Sequence, residues 1–125
     1  MQLRRITPED VEQINSWLEY RNLPLIKDKQ PGVGLIVDGV AAAYLFQTDG
    51  YIAYIDSLFT NRKSTVEERD RAMRMIFNEL FKIGLELGYS FVCGYVTQES
   101  LAIRAKQLGL EVHSDPHYMI YKEIE

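Results

Sequence analysis

The stretch GLIVDGVAAAYLFQTDGYIAYIDSLF, residues 34–59, decides the fold class. It holds two turn sequences, Asp38-Gly39 and Thr48-Asp49-Gly50, and each lies between runs rich in β-branched and aromatic residues. The predicted strands cover residues 34–37, 40–47 and 51–59. Because both turns are short, the three strands form an antiparallel meander.

Helix signals lie on either side of this meander. Upstream, Thr7-Pro8-Glu9-Asp10 combines an N-cap residue, a proline for the first helical position and two acids for the positive helix end. It predicts a helix over residues 8–20, with Thr7 as N-cap. Downstream, Ser64 with Glu67, or Thr65 with Glu68, fits a capping box. A long helix starts there and ends near Leu87-Gly88, where glycine suits the C′ position.

The rest of the chain continues the alternation of strands and helices. Further elements are predicted over residues 3–6 (strand), 90–96 (strand), 98–108 (helix), 110–113 (strand piece) and 118–124 (strand). The order β-α-β-β-β-α-β-α-β predicts an α/β (α+β) fold. Its central sheet is mixed and mostly antiparallel, with six or seven strands and helices on both faces. Residues 1–125 form a single domain in this interpretation.

Composition narrows the function classes. The net charge of −4, from 14 basic and 18 acidic residues, argues against nucleic-acid binding. No apolar run reaches the length of a membrane span, and we expect no membrane partner. The single cysteine, Cys93, excludes an internal disulfide and favours the reducing cytoplasm.

Three segments carry a resemblance to a known family. LRRITPED at residues 3–10 leads a first strand into a capped helix, KQLGLE at residues 106–111 ends a helix in a Leu-Gly turn, and YMIYK at residues 118–122 forms a last strand. In this order, over the whole chain, they resemble the GNAT superfamily of N-acetyltransferases. The resemblance implies acetyl-CoA in a V-shaped gap between the fourth and fifth strands. It places the pyrophosphate on backbone N–H groups at the start of the long helix.

The phosphate loop departs from the family pattern of Gln or Arg, two residues, Gly, one residue, then Gly or Ala. Aligned here, that pattern falls on Glu67, Asp70 and Ala72, and only Ala72 conforms. No glycine occurs between Gly50 and Gly84, so no shift of the alignment restores one. Carboxylates near a diphosphate repel it, so this loop is degenerate.

The resemblance still suggests where the cofactor would lie. The candidate cofactor-binding residues are Leu58, Phe59, Thr60, Arg62, Lys63, Ser64 and Thr65. Arg62 and Lys63 supply positive charge, while Ser64 and Thr65 supply hydroxyls. The alternative is a capped helix with a solvated first turn. Likewise, the mixed charges from Glu67 to Arg74 favour a solvated helix face over an anion site.

Two candidate catalytic residues follow from the resemblance, which implies direct attack of an amine on the thioester. Asp56 on the fourth strand is the candidate base, and the alternatives are a cap on a bulge or a partner for a lysine. The family's acid, a tyrosine four residues before the Leu-Gly glycine, is replaced by Ala105. Tyr118 is the candidate substitute, with Tyr95 and Tyr121 as alternatives that packing also explains.

The remaining reactive side chains favour structural roles. Cys93 in the apolar strand FVCGY is expected to be buried and inert. His113 and His117 are separated by a turn and lack further ligands, so no metal site is predicted.

Three functions stay open at this point. The first is an N-acetyltransferase that moves acetyl from acetyl-CoA to a small-molecule or protein amine. The second is an inactive binding or structural protein of the same fold, including one carried by a bacteriophage as a virion or accessory component. The third is an unrelated partner-binding domain. A homodimer through the edge strand at residues 118–124 also stays open.

Overall fold

The structure, a computed structural model, describes residues 1–23, 25–26, 32–96, 99–115, 120 and 122–124, without the side chains of Asp56 and Ser57. The elements follow the predicted order as far as the third helix. They are β1 (Leu3–Arg5), α1 (Asp10–Tyr20), β2 (Val33–Val37), β3 (Ala41–Phe46), β4 (Ile52–Thr60), α2 (Val66–Glu86), β5 (Phe91–Cys93) and α3 (Glu99–Gln107).

The five strands that lie in the described residues form one sheet in which spatial order equals chain order. The strands from β1 to β4 pair antiparallel, with Leu3 opposite Val37 and Ala43 opposite Leu58. Strand β5 pairs with β4 in parallel, because α2 carries the chain back across the sheet between them. The predicted mixed, mostly antiparallel sheet is confirmed.

The end of the chain is described only in part. The strand piece expected over residues 110–113 stays a prediction, since these residues have no strand partner within the part of the chain that the structure describes. The closing strand over residues 118–124 falls mostly outside the described residues.

Side chains of β2 and β3 alternate between two layers, as pleated strands require. One layer, which includes Leu35 and Leu45, packs against α2. The other, which includes Ile36 and Tyr44, packs against α1. The helices contribute Ala72, Ile76, Leu80 and Ile83 from α2, and Ile14, Trp17 and Leu18 from α1. One helix therefore covers each face of the sheet, as the sequence predicts.

Helix α1 begins differently from the prediction. It starts at Asp10, and Glu9 stands at the N-cap position without a side-chain cap. Thr7 is not the N-cap, because its N–H and hydroxyl donate to the Asp10 carboxylate at 2.7 and 3.2 Å. The same carboxylate accepts two guanidinium hydrogen bonds from Arg4, each 2.7 Å long. The local sequence therefore forms a turn tied to β1 instead of a capped first helical turn.

Helix α2 keeps both of its predicted ends. Thr65 and Glu68 form the capping box, which decides between the two candidate pairs. At the other end, Gly88 has φ +90, the left-handed conformation that glycine adopts without strain.

The chain divides into two compact units, Met1–Tyr95 and Val96–Glu125. The first contains the sheet with α1 and α2. The second contains α3, which buries none of its residues and is followed by Gly109 at φ +90. The single domain over residues 1–125 stays a prediction. Among the helices that the structure describes, none is long and apolar enough to cross a bilayer.

Candidate functional site

The parallel strands β4 and β5 are paired over only part of their length. Pairing runs from Ile52 with Phe91 to Tyr54 with Cys93, where β5 ends. Strand β4 continues for six more residues to Thr60. Within the described part of Met1–Tyr95, the β5 side of this stretch has no strand partner. A gap therefore opens beside the carboxyl end of β4, the kind of position where open sheets bind ligands.

A glycine marks the point where the two strands part. Gly94 follows β5 directly, and a Cβ atom on it would stand 2.6 Å from the carbonyl oxygen of Ile55. Only a residue without a side chain fits so close to the backbone of β4. Gly94 therefore belongs to the geometry of the gap.

A β-bulge lies at the same level of β4. Tyr44 of β3 pairs with Ser57, while the next residue, Leu45, pairs with Ile55. Asp56 is therefore the extra residue of the bulge, and its backbone is left out of the ladder with β3. The side chain of Asp56 lies outside the described structure, so the chain position of this candidate base is known and its contacts are not described.

The turn after β4, residues 61–64, is organised by Asn61. Its N–H donates to the carbonyl of Val40 at 2.8 Å, and its amide donates to the carbonyl of Gly39 at 2.9 Å. Its Oδ1 accepts from the N–H of Lys63 at 3.0 Å, and its carbonyl accepts from the N–H of Ser64 at 3.1 Å. These bonds attach the turn to the β2–β3 hairpin. The turn is therefore held by hydrogen bonds and fixes the start of α2.

The start of α2 uses several of its donors internally. The N–H of Glu68 donates to Thr65 Oγ1 at 3.1 Å, and the N–H of Thr65 donates to Glu68 Oε1 at 3.0 Å. The backbone hydrogen bond lowers the pKa of Glu68, with a smaller contribution from the Thr65 side chain. The N–H groups of Val66 and Glu67 have no acceptor in the part of the chain that is described. The helix therefore offers two free amides, fewer than a glycine-rich loop would.

The predicted phosphate-binding hydroxyls already have partners. Ser64 Oγ donates to the carbonyl of Asn61, and Thr65 Oγ1 serves the capping box. Leu58 and Phe59 pack into the core on opposite faces of β4, with Phe59 8% exposed. The structure therefore brings all seven candidates together at one end of β4, but it places Leu58 and Phe59 in packing positions.

Three arginines converge on the same turn, and we call Arg21, Arg62 and Arg69 the arginine cluster. Arg69 Nη1 donates to the carbonyls of Arg62, at 3.0 Å, and Ser64. Arg21, directly after α1, donates from Nη2 to the hydroxyl of Thr60 at 2.8 Å. Burial lowers the pKa of Arg21, and the charges of Arg69 and Arg62 lower it further. The cluster therefore concentrates positive charge at the end of β4.

Sequence reasoning missed two members of the cluster. Arg69 was assigned to a solvated helix face, whereas its guanidinium folds back onto the turn and donates to two carbonyls. Arg21 was not singled out, because its partner Thr60 is 39 residues away. The other two arginines of that charge run, Arg71 and Arg74, are exposed.

The remaining candidates add little to this site. Tyr118, Tyr121 and His117 lie outside the described residues. Tyr95 is exposed, and His113 lies in the second unit with its Nε2 3.9 Å from Glu111 Oε2. Cys93 is half-buried, and burial raises the pKa of its thiol, which disfavours the reactive thiolate.

The fold is shared with solved acetyltransferases. A structure from Agrobacterium tumefaciens described as a putative acetyltransferase superposes with a TM-score of 0.76 and 15% identity, over 98% of this chain and 100% of that one. An acetyltransferase from Trypanosoma brucei gives 0.72 and 14%, over 96% and 99%. An aminoglycoside N-acetyltransferase in complex with CoA gives 0.67 and 12%, over 98% and 100%.

Comparisons of sequence give a different result from comparisons of structure. No known family profile matches the chain, and no curated protein matches it. The structural neighbours are too distant in sequence to show more than the fold. That fold is the GNAT-superfamily fold, and the resemblance carried by the three sequence segments is confirmed at this level.

Proposed function

We propose that this GNAT-fold chain binds acetyl-CoA at the gap between β4 and β5 and transfers its acetyl group to an amine. The observation that carries the proposal is the parting of β4 from β5 at Tyr54 and Cys93, next to the bulge at Asp56. The neighbours' activity supports it, since one of them is in complex with CoA.

The residues present fit the phosphates of such a cofactor by an unusual route. The free N–H groups of Val66 and Glu67 and the cations Arg62 and Lys63 would hold them. In the described residues neither cation has an ion pair with a carboxylate. The Lys63 ammonium lies 5.2 Å from the centre of the Tyr20 ring, a cation–π contact that a phosphate would have to compete with, so Arg62 is the more available cation. The exposed Glu67 opposes this attraction, and we expect modest affinity.

The chemistry divides between the cofactor and the chain. Acetyl-CoA would supply an acetyl group activated as a thioester. Asp56 would take the proton of the attacking ammonium, and Tyr118 would return a proton to the departing sulfur. Since general acid–base groups typically contribute about 10²–10⁴-fold to a rate, removing the base should lower turnover without removing binding.

The test begins with calorimetric titration of acetyl-CoA and CoA into the full chain. We expect micromolar binding, followed by turnover in an amine panel read by thiol release. Asp56→Asn should keep the acetyl-CoA affinity and lose about 100-fold in turnover. Equal turnover by Asp56→Asn and the native chain would show that Asp56 is not the base. No binding at millimolar acetyl-CoA would exclude the proposed acetyltransferase function.

The second candidate function is an inactive binding or structural protein of this fold, such as a phage component. It is favoured by the capping box, since the amides of Thr65 and Glu68 are satisfied by the chain itself. A chain that binds neither acetyl-CoA nor CoA, yet folds cooperatively, would support this function.

A further inference from the structure

The guanidinium of Arg21 has fewer hydrogen-bond partners than that of Arg4, an arginine with a structural role in this protein. Arg4 forms a bidentate ion pair with Asp10, at 2.7 Å for both nitrogens. Among the described residues Arg21 has a single side-chain hydrogen bond, to the neutral hydroxyl of Thr60. Its Nε is buried and has no hydrogen-bond partner in the described residues. A half-buried guanidinium that is satisfied at one nitrogen lacks the partners that a structural role normally supplies.

The surroundings of Arg21 make this arrangement unfavourable for a purely structural residue. Arg62 and Arg69 are close enough for their charges to act on it. No member of the arginine cluster forms an ion pair with a carboxylate of the described residues. Like charges that lie close together repel each other, and a bound anion would relieve that repulsion.

The remaining donors of Arg21 are suited to a phosphate. Its Nη1 has no hydrogen-bond partner within the described residues, so this nitrogen is the donor left for a ligand. A guanidinium presents paired donors that match the oxygens of a phosphate group. Thr60 fixes the opposite nitrogen, so the side chain is held in position before a ligand arrives.

We propose that Arg21 is a phosphate ligand, which with Arg62 binds the phosphates of the CoA moiety from the α1 side of the turn at residues 61–64. The proposal rests on the proposed function for the identity of the ligand. It assigns the role of the missing glycine loop to side-chain cations. Arg69 is a positioning residue, because it holds the carbonyls of Arg62 and Ser64.

The experiment compares Arg21→Gln with Arg74→Gln, which makes the same change of charge at an exposed position of α2. Calorimetry measures CoA, 3′-dephospho-CoA and pantetheine on each full chain. We expect Arg21→Gln to weaken CoA about 10-fold or more and Arg74→Gln less than about 2-fold, with pantetheine unchanged in both. The dephospho-CoA arm shows whether the 3′-phosphate or the pyrophosphate is bound. Arg21→Lys keeps the charge without the paired donors and should lie between the two.

Several results would overturn the proposal. They are an Arg21→Gln affinity for CoA within 2-fold of the native value, an equal loss of CoA and pantetheine, and a native chain that binds pantetheine as tightly as CoA. Thermal unfolding shows whether a loss of CoA affinity in Arg21→Gln is caused by misfolding. If the melting temperature of Arg21→Gln falls strongly, Arg21→Lys takes its place in the comparison.

Failure of the proposed function is distinguished by inorganic pyrophosphate. If the native chain does not bind CoA, its melting temperature is measured with pyrophosphate against sodium chloride of equal ionic strength. A rise that Arg21→Gln abolishes supports the phosphate site without acetyl transfer. The absence of a rise overturns both.

Discussion

Replacing Asp10 by asparagine tests the ion pair that holds the start of α1. Asp10 is 6% exposed, and its carboxylate accepts hydrogen bonds from Arg4 and from Thr7. The guanidinium hydrogen bond from Arg4 is the main cause that lowers the pKa of Asp10 from 3.8 to about 2. One pKa unit corresponds to about 1.4 kcal/mol, so the ionised carboxylate contributes about 2.5 kcal/mol to the free energy of unfolding at neutral pH.

The pH dependence follows from the direction of this shift. Because the pKa is lower in the folded state, the contribution is complete well above pH 4 and is lost as the pH falls towards 2. The difference in unfolding free energy between the native chain and Asp10→Asn should therefore be largest at pH 7. About half of the carboxylate's contribution should remain at pH 3.

Urea denaturation followed by circular dichroism at pH 7, 5, 4 and 3 measures that difference. Glu12→Gln makes the same chemical change at an exposed position of the first turn of α1 and should cost less than about 0.5 kcal/mol. A difference for Asp10→Asn that stays constant from pH 7 to pH 3 would refute the reasoning, as would an equal cost for Glu12→Gln.

Two further predictions concern the site. Gly94→Ala places a Cβ atom 2.6 Å from the Ile55 carbonyl, whereas Gly50→Ala meets nothing nearer than 3.8 Å. In chemical denaturation, Gly94→Ala should lower the free energy of unfolding by about 1–3 kcal/mol, and Gly50→Ala should lower it by less than about 1 kcal/mol. Equal losses would contradict the close approach of Gly94 to the Ile55 carbonyl. Thr65→Ala removes the acceptor for the Glu68 N–H and should lower the unfolding free energy by about 1 kcal/mol, and an unchanged value would mean that solvent replaces the cap.

The features that the sequence predicts well are those that depend on neighbouring residues. Thr65 and Glu68 satisfy each other across three positions, and Gly39 adopts its positive φ within a short turn. Such signals work because both partners lie in one short segment. Thr7 shows the limit, since its role as N-cap is overridden by a carboxylate that pairs with Arg4 of β1.

The bulge in β4 is visible in the sequence as a shift in the alternation of apolar residues, which the strand prediction did not use. Ala53, Ile55 and Leu58 share the face that packs against α2, and Phe59 lies on the other face. A regular strand would place residues 53, 55, 57 and 59 on one face. The apolar alternation therefore shifts by one position, and the shift falls on the adjacent polar pair Asp56-Ser57. Two successive polar residues inside a buried strand were the available signal.

No comparable pattern in the sequence indicates the arginine cluster, because its members come from the C-cap of α1, the turn and α2 and meet only through the fold. The cluster also bears on which groups could hold a phosphate at a loop that contains no glycine. Helix α2 satisfies two of its first N–H groups with its own capping box, so fewer backbone donors are left for an anion. Positive charge at this turn must then come from side chains, and Arg62, Lys63 and Arg21 supply it without carboxylate partners in the described residues. Under the proposed function, the glycine-poor loop and the arginine cluster fit one arrangement, in which side-chain cations take the place of backbone amides at the start of the helix. If that is correct, CoA binding by this chain should weaken more steeply with salt than binding by a glycine-loop acetyltransferase of the same fold, because side-chain charges near the surface are screened while backbone hydrogen bonds are not.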